Sequence, residues 1–437
     1  MAQFTHLHVH TQYSLLDGQA SIDALIDKAQ KDGMPAIAVT DHGVMFGIKE
    51  FFNKVSKKNG KPLGAIKDYE KELKELKSKT ELTAEEQARL EEIPAKIEEE
   101  KKKIFKPIFG CECYCARNGR HNKSTKEDRS GYHLIVLAKN LNGYKNLIKM
   151  VSLSWTEGFY GRPRIDKELL EKYHEDLIIC SACIGGEIPQ HILNGRMDKA
   201  EESVLWFKNL FGEDYYLEIQ RHETHDPNAA QDVYPHQVTA NKAILELARK
   251  HNIKVIATND VHFVNAEDAE AHDRLICLST GKDLDDPNRM RYTKQEWMKT
   301  TAEMNTIFSD IPEALSNTLE IADKVEFYSI DHGPIMPTFA IPEDFGTEEE
   351  YRQKFTEQDL FDEFTRDENG NVVLSEEAAH DKIKKLGGYE KLYRIKLEAD
   401  YLKKITYDGA KICYGDDLND EVKERLNFEL HIMKTMG

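Results

Sequence analysis

Seven short apolar runs of β type, most followed by an amphipathic stretch, fill the first 265 or so residues and leave few ways to fold them. They read FTHLHVHT (4–11), PAIAVTDHG (35–43), KPIFGCECYCA (106–116), YHLIVLAKN (132–140), LIICSAC (177–183), YYLEIQRH (215–222) and KVIATNDVHF (254–263). Between the first two, SIDALIDKAQKDG carries Ile22, Leu25, Ile26 and Ala29 at helical spacing, with Gly33 where a helix would stop. HQVTANKAILELARKHN repeats the pattern with Val238, Ala243, Leu245 and Leu247. Such alternation, with strands this apolar, predicts a parallel sheet covered by helices. The scale fits a closed βα barrel, with a doubly wound open sheet as the alternative.

One segment interrupts the rhythm. Residues 65–105 are almost all charge and helix former, which predicts an exposed helical hairpin inserted before the third strand. Thr83 and Glu86 fit a capping box at its second helix, and Pro94 is expected to break or kink that helix. After Phe263 the alternation ends. TTAEMNTIFSDIPEALSNTLEIADKV reads as helix, YSIDHGPIMPTFAIPEDFG as extended and proline-punctuated, and Thr347 to Gly437 as mostly helical. The expected division is 1–280 and 281–437. The last helical run stops abruptly, as a fragment would.

Composition excludes some classes. The chain has 437 residues with 40% hydrophobic and 32% charged content, which describes a soluble globular protein. No apolar run approaches the roughly 20 residues of a membrane span. The N-terminus lacks a basic region and an apolar signal core, so a cytoplasmic protein is expected. Seven cysteines without a secretion signal predict reduced thiols. A net charge of −18 disfavours broad, nonspecific binding to nucleic acid, though not a local basic channel.

In a parallel barrel the chemistry gathers at the C-terminal strand ends. Here strand one ends with His8, His10 and, after a short turn, Asp17; His6 shares their face. Strand two ends in Asp41 and His42, strand three carries Glu112, and strand four begins with His133. Strand five ends with Cys183, and strand seven with Asp260 and His262. Each item alone is weak. A lone cysteine after a strand is usually core, and Cys111, Cys113 and Cys115 alternate along a strand as packing residues do. Cys180 and Cys183 have no second CxxC to complete a zinc knuckle. Many ionisable groups brought together without a cation would leave unpaired buried charge, so the convergence predicts a multinuclear metal site. Imidazoles, carboxylates and a thiol suit zinc, manganese or iron, with magnesium as the harder alternative. Nine donors imply two or three divalent ions, with Glu112 bridging, and clustered ions of this kind promote phosphate-ester hydrolysis.

H-x-H on strand one, TDHG on strand two, then Glu112, His133, Cys183 and N-D-x-H resemble the polymerase and histidinol phosphatase (PHP) family of metal-dependent phosphoesterases. Within it, FTHLHVHTQYSLLDG, AVTDHGVMFG, KPIFGCECY, GYHLIVLAKN, GYKNLIKMVS, GFYGRPRID, GGEIPQ and VIATNDVHF are similar to the domain that opens bacterial DNA polymerase III alpha subunits. MPTFAIPEDF and ELHIMKTMG continue the similarity to the end. The resemblance implies a distorted seven-stranded βα (TIM-like) barrel, a mainly helical region leading into a polymerase palm, and nine metal ligands: His8, His10, Asp17, His42, Glu112, His133, Cys183, Asp260 and His262. It groups them as His8, His10, Glu112 and Asp260; Glu112, His133 and Cys183; and Asp17, His42 and His262. His6 is outside the set. His10, Glu112, Asp260 and His262 would be catalytic.

The activity implied is a 3′–5′ proofreading exonuclease in a protein that as a whole performs DNA-directed DNA synthesis. Its partners would be primer–template DNA and, through the full-length protein, a sliding clamp, a clamp loader and a proofreading subunit, with no membrane. Arg162, Arg164, Arg221 and His222 are candidates for holding phosphate. The alternatives are a metal-stabilised scaffold that docks a proofreading subunit, and a histidinol-phosphate-type phosphatase. Two departures stand out: the charged insertion, and the absence of the polymerase's own carboxylates. Asp283, Asp285 and Asp286, and Asp416, Asp417 and Asp420, lack the apolar strand context of a two-metal site and read as surface.

Overall fold

The computed structural model describes residues 2–79, 82–335, 337, 339–367 and 370–436. Thr80 and Glu81 of the charged insertion, Met336 and Thr338 of the proline-punctuated stretch, and the terminal Gly437 lie outside the described residues. The described chain forms two compact units, Met1–His332 and Gly333–Gly437. The boundary therefore falls later than residue 280. The helices Thr301–Ile307 and Glu313–Lys324, expected with the second region, pack into the first, where Met304 and Leu315 join its core.

The first unit is built on a seven-stranded sheet: β1 (Ala36–Val39), β2 (Lys106–Cys115), β3 (Tyr132–Ala138), β4 (Arg164–Ile165), β5 (Leu177–Cys180), β6 (Tyr215–Ile219) and β7 (Val255–Ala257). The order is β1-β2-β3-β5-β6-β7, with β4 paired to β2. The sheet is mixed rather than parallel, because β3 runs antiparallel to both β2 and β5. Residues 4–11, expected as the first strand, are extended but form only an isolated bridge, between Val9 and Val261. They nonetheless join both sheet edges. On the β1 side the amides of Ala38 and Thr40 donate to the carbonyls of His6 and Val9. On the β7 side the His10 amide donates to Val261, and the Val261 amide to His8.

Strand alternation divides the apolar residues between two faces. Ile37, Val39, Phe109, Val136, Ile179 and Leu217 pack under the helices. Ile108, Ile135, Leu137, Ile178, Tyr216 and Ile256 face one another in a second cluster, reached by Ile321 and Val325. Stepping an even number of residues along each strand from that inner cluster gives Glu112 four after Ile108, His133 two before Ile135, Glu218 two after Tyr216 and Asp260 four after Ile256. The polar groups thus sit at one end of the enclosed face. Antiparallel β3 delivers its histidine from its N-terminal end because its direction is reversed.

The charged insertion is a helical hairpin, Gly60–Lys77 and Ala84–Lys101, starting slightly earlier than residue 65. The Thr83–Glu86 capping box forms, but the second helix runs through Pro94 unbroken. The hairpin has its own apolar seam of Ile66, Leu76, Ile93, Ile97 and Ile104. The second unit is helical, with a core of Tyr351, Leu360, Phe364, Ile383, Leu392 and Leu397. Among the described residues no helix is long and apolar enough to cross a membrane.

Candidate metal centre

Eight of the nine expected ligands are linked by short contacts around Glu112, and Cys183 lies at the edge. His8 Nε2 and His10 Nε2 approach Asp260 Oδ1 at 3.1 and 3.2 Å, and the two Glu112 oxygens at 3.4 and 3.3 Å. Glu112 also meets His133 Nδ1 at 2.8 Å and His42 Nδ1 at 2.5 Å. Asp17 reaches His42 Nε2 at 2.9 Å and His262 Nε2 at 3.8 Å. Cys183 Sγ lies 3.5 Å from His133 Nδ1 and 3.9 Å from Glu112 Oε1. Three donor sets are compact enough to hold an ion: His8–His10–Glu112, Glu112–His133–Cys183, and His10–His42–His262.

The local chain aims these groups. Asp17 leads into a turn in which a Cβ on Gly18 would lie 2.1 Å from the Thr11 carbonyl oxygen, so only glycine fits. Asp260 and Ala182, the residue before Cys183, adopt left-handed conformations with φ of 48° and 63°, uncommon for residues with a side chain. The histidine rings are fixed from behind. His8 Nδ1 meets Glu218 Oε1 at 2.7 Å, His10 Nδ1 meets Ser14 Oγ at 3.0 Å, and His262 Nδ1 meets the Asp260 carbonyl at 2.8 Å. Asp41, beside His42, points away and accepts from the Thr11 amide and the Thr11 and Ser14 hydroxyls. His6 turns to the Lys299 carbonyl, and burial lowers it to about 4.

The donors fit a cation. His8 Nε2, His10 Nε2, His42 Nδ1, Glu112 Oε2 and Asp260 Oδ1 are buried without a hydrogen-bond partner, which is costly unless something else satisfies them. Ligands about 2.0–2.1 Å from a tetrahedral ion sit about 3.3 Å from one another, the spacing seen around His8 and His10. Electrostatics agree. Burial raises the Glu112 and Asp260 carboxyls, but the surrounding imidazoles outweigh it and hold both well below the usual range. Burial also opposes charge on His8 and His42, yet their carboxylate neighbours push both up. Burial, with His42 and His262 beside it, lowers His10 to about 3. Burial and the carboxylates of Asp260 and Glu112 push the Cys183 thiol up, so a thiolate there requires a cation among them.

Two of the four phosphate candidates are engaged in structure. Arg164 is fully buried and donates to the carbonyls of Gly158, Asn122, Asp128 and Arg120. Arg221 forms a bidentate pair with Asp310. His222 lines the cleft but is buried, with Nε2 on the Asn259 carbonyl. Arg162 is exposed, lies over the Tyr114 ring at 5.6 Å and borders the cleft beside Asp17 and His42. Sequence reasoning missed Glu218 and Tyr292, whose hydroxyl donates to Asp17 Oδ1 at 2.8 Å. An acid within the apolar run YYLEI was the available signal for Glu218; Tyr292 lies in a loop with none. The acidic groups at 283–286 and 416–420 are on the surface, with Asp286 half-buried.

The PHP domain family matches residues 6–222. A DNA polymerase III subunit alpha of Borreliella burgdorferi is 42% identical over 364 residues, covering 82% of this chain and 27% of the relative. One from Campylobacter jejuni is 34% identical over 456 residues, covering 100% of this chain and 30% of the relative. One from Thermus aquaticus is 34% identical, covering 81% of the chain and 25% of the relative. The chain spans under a third of the length of these curated relatives. Residues 6–222 thus carry a PHP domain, and the chain is similar to these alpha subunits over most of its length.

Proposed function

We propose that the chain is the N-terminal part of a replicative DNA polymerase III alpha subunit and that its barrel hydrolyses phosphodiesters as a 3′–5′ proofreading exonuclease. The full-length protein would extend primer–template DNA together with the other replicase subunits. The observation that carries the hydrolytic reading is the set of five buried, unpartnered donor atoms converging on Glu112, opening to a cleft that Arg162 borders. His8, His10, Glu112 and Asp260 would hold one ion; Glu112, His133 and Cys183 a second; Asp17, His42 and His262 a third, with His10 near enough to share it. Divalent zinc, manganese or iron bound there would neutralise phosphate charge and activate water. Glu218 and Ser14 hold the rings of His8 and His10 in orientation, and Tyr292 holds Asp17. Arg162 offers the phosphate a charge from the open side.

The test is nucleotide release from a 3′-mismatched primer–template by the purified chain with zinc, with manganese and without metal. Metal-dependent release abolished by His10→Ala and Asp260→Ala supports the reading. A scaffold role has its own support, because the donors come from both ends of residues 8–262 and an ion among them would fasten the barrel shut. No release at full metal occupancy would favour it.

A further inference from the structure

Beside the metal centre lies a second cleft of about 350 Å³, sharing Asp17, His42, Tyr114 and Arg162 with the one above Glu112. Its walls are unusually aromatic for an open surface: Phe46, Trp155 and Phe159 are 60%, 43% and 45% exposed. Apolar groups this large are seldom left in water together without a partner. Two of them are also held in place. Trp155 and Phe159 stack at 5.4 Å with 14° between their planes. The indole N–H of Trp155 donates to the Gly43 carbonyl at 2.9 Å, which ties the ring to the residue after His42. Gly43 itself admits no side chain, since a Cβ would lie 2.7 Å from Pro163. The platform is therefore fixed relative to a candidate metal ligand.

We propose that this aromatic wall is a nucleobase subsite, which stacks an unpaired base next to the phosphodiester at the metal centre. It rests on the phosphodiester reading above and narrows its substrate to a single-stranded end. Flat, rigid aromatic faces beside a cation are how proteins hold single strands without reading sequence. Arg162 lies at the junction of the two clefts, so a phosphate there would connect a base on Trp155 and Phe159 to the donors around Glu112. The cleft is of nucleotide size and admits one unpaired base, whereas a paired end would have to fray first. A protein partner on this face is the competing occupant. It would explain the exposed rings but not the placement of Arg162 between rings and donors.

The experiment uses the full chain with manganese and a single-stranded oligonucleotide bearing 3′-terminal 2-aminopurine, its last linkage a phosphorothioate that keeps the negative charge and slows cleavage. Stacking quenches the fluorophore. The expected result is saturable quenching that weakens about 5- to 100-fold in Trp155→Ala and in the exposed Phe46→Ala. Trp155→Phe should retain most of it, and a strand ending in an abasic residue should bind no better than the intact strand binds Trp155→Ala. Absence of quenching, or equal affinity in the alanine variants, overturns the subsite and assigns the face to a protein partner. Hydrolysis of a mismatched primer is measured separately. Quenching without hydrolysis removes the exonuclease reading and keeps the subsite, while hydrolysis with undiminished binding by both alanine variants does the reverse.

Discussion

His8 and Glu218 meet at 2.7 Å with both side chains sealed from solvent, the carboxylate on the ring nitrogen that faces away from the donor cluster. Such a pairing fixes which nitrogen is free and strengthens it as a ligand. Glu218→Gln should leave the fold intact and lower metal affinity by about 10- to 100-fold. Competition with a chromogenic chelator measures this, and an unchanged affinity would remove Glu218 from the site.

Metal should also be visible in stability. Adding zinc or manganese to chelated protein should raise the unfolding temperature, with about 4 kcal/mol gained at a thousandfold excess over the dissociation constant. Elemental analysis should find two or three ions per chain, falling in His10→Ala. A melting curve indifferent to metal would contradict a cluster that needs a cation to satisfy its buried atoms.

Arg162 and Arg164 are two residues apart and should behave oppositely. Arg164→Met strands four backbone carbonyls and should cost on the order of 3 kcal/mol in urea unfolding. Arg162→Ala should leave stability within about 0.5 kcal/mol and weaken oligonucleotide binding.

Gly18→Ala should destabilise the first unit by about 1–3 kcal/mol, because the added methyl meets the Thr11 carbonyl. The same change displaces Asp17, so metal stoichiometry should drop with it. Calorimetry and metal analysis on one sample check both effects.

Lys299 supplies a pH signature. Burial lowers its amine from 10.5 to about 7, only partly opposed by Glu296. Between pH 7 and 10.5 the unfolded chain holds a proton the folded chain has lost, so stability rises with pH, by at most about 1.4 kcal/mol per unit. Below pH 7 both states are protonated and this contribution is flat. Lys299→Met should abolish the rise, read as the difference between the two stability–pH curves.

Six of the seven apolar runs contain strands, since apolar content and length are local signals. Strand direction is not local. Nothing in YHLIVLA says that β3 reverses, although His133 at its beginning rather than its end was consistent with that. Residues 4–11 are extended as their alternation suggests, yet their bond pattern amounts only to a bridge, because their partners lie on two different strands. Pro94 was misleading because it removes one hydrogen bond from a helix whose other turns continue around it. The donors were legible because each is a polar residue within, at the end of or just beyond an apolar run. The fate of Arg164 was not, because four carbonyls from two connections, one between β2 and β3 and one just before β4, decide it.

The segment that joins β1 to β7 has a consequence for synthesis. Val9 cannot meet Val261 until some 250 further residues have left the ribosome, which takes roughly 10–50 s at bacterial elongation rates. For that interval His8 and His10 lack Asp260 and His262, and the nascent chain presents an open sheet edge. Closure then becomes a late event, and a chain arrested before residue 260 would have neither the closed barrel nor the full set of donors around Glu112.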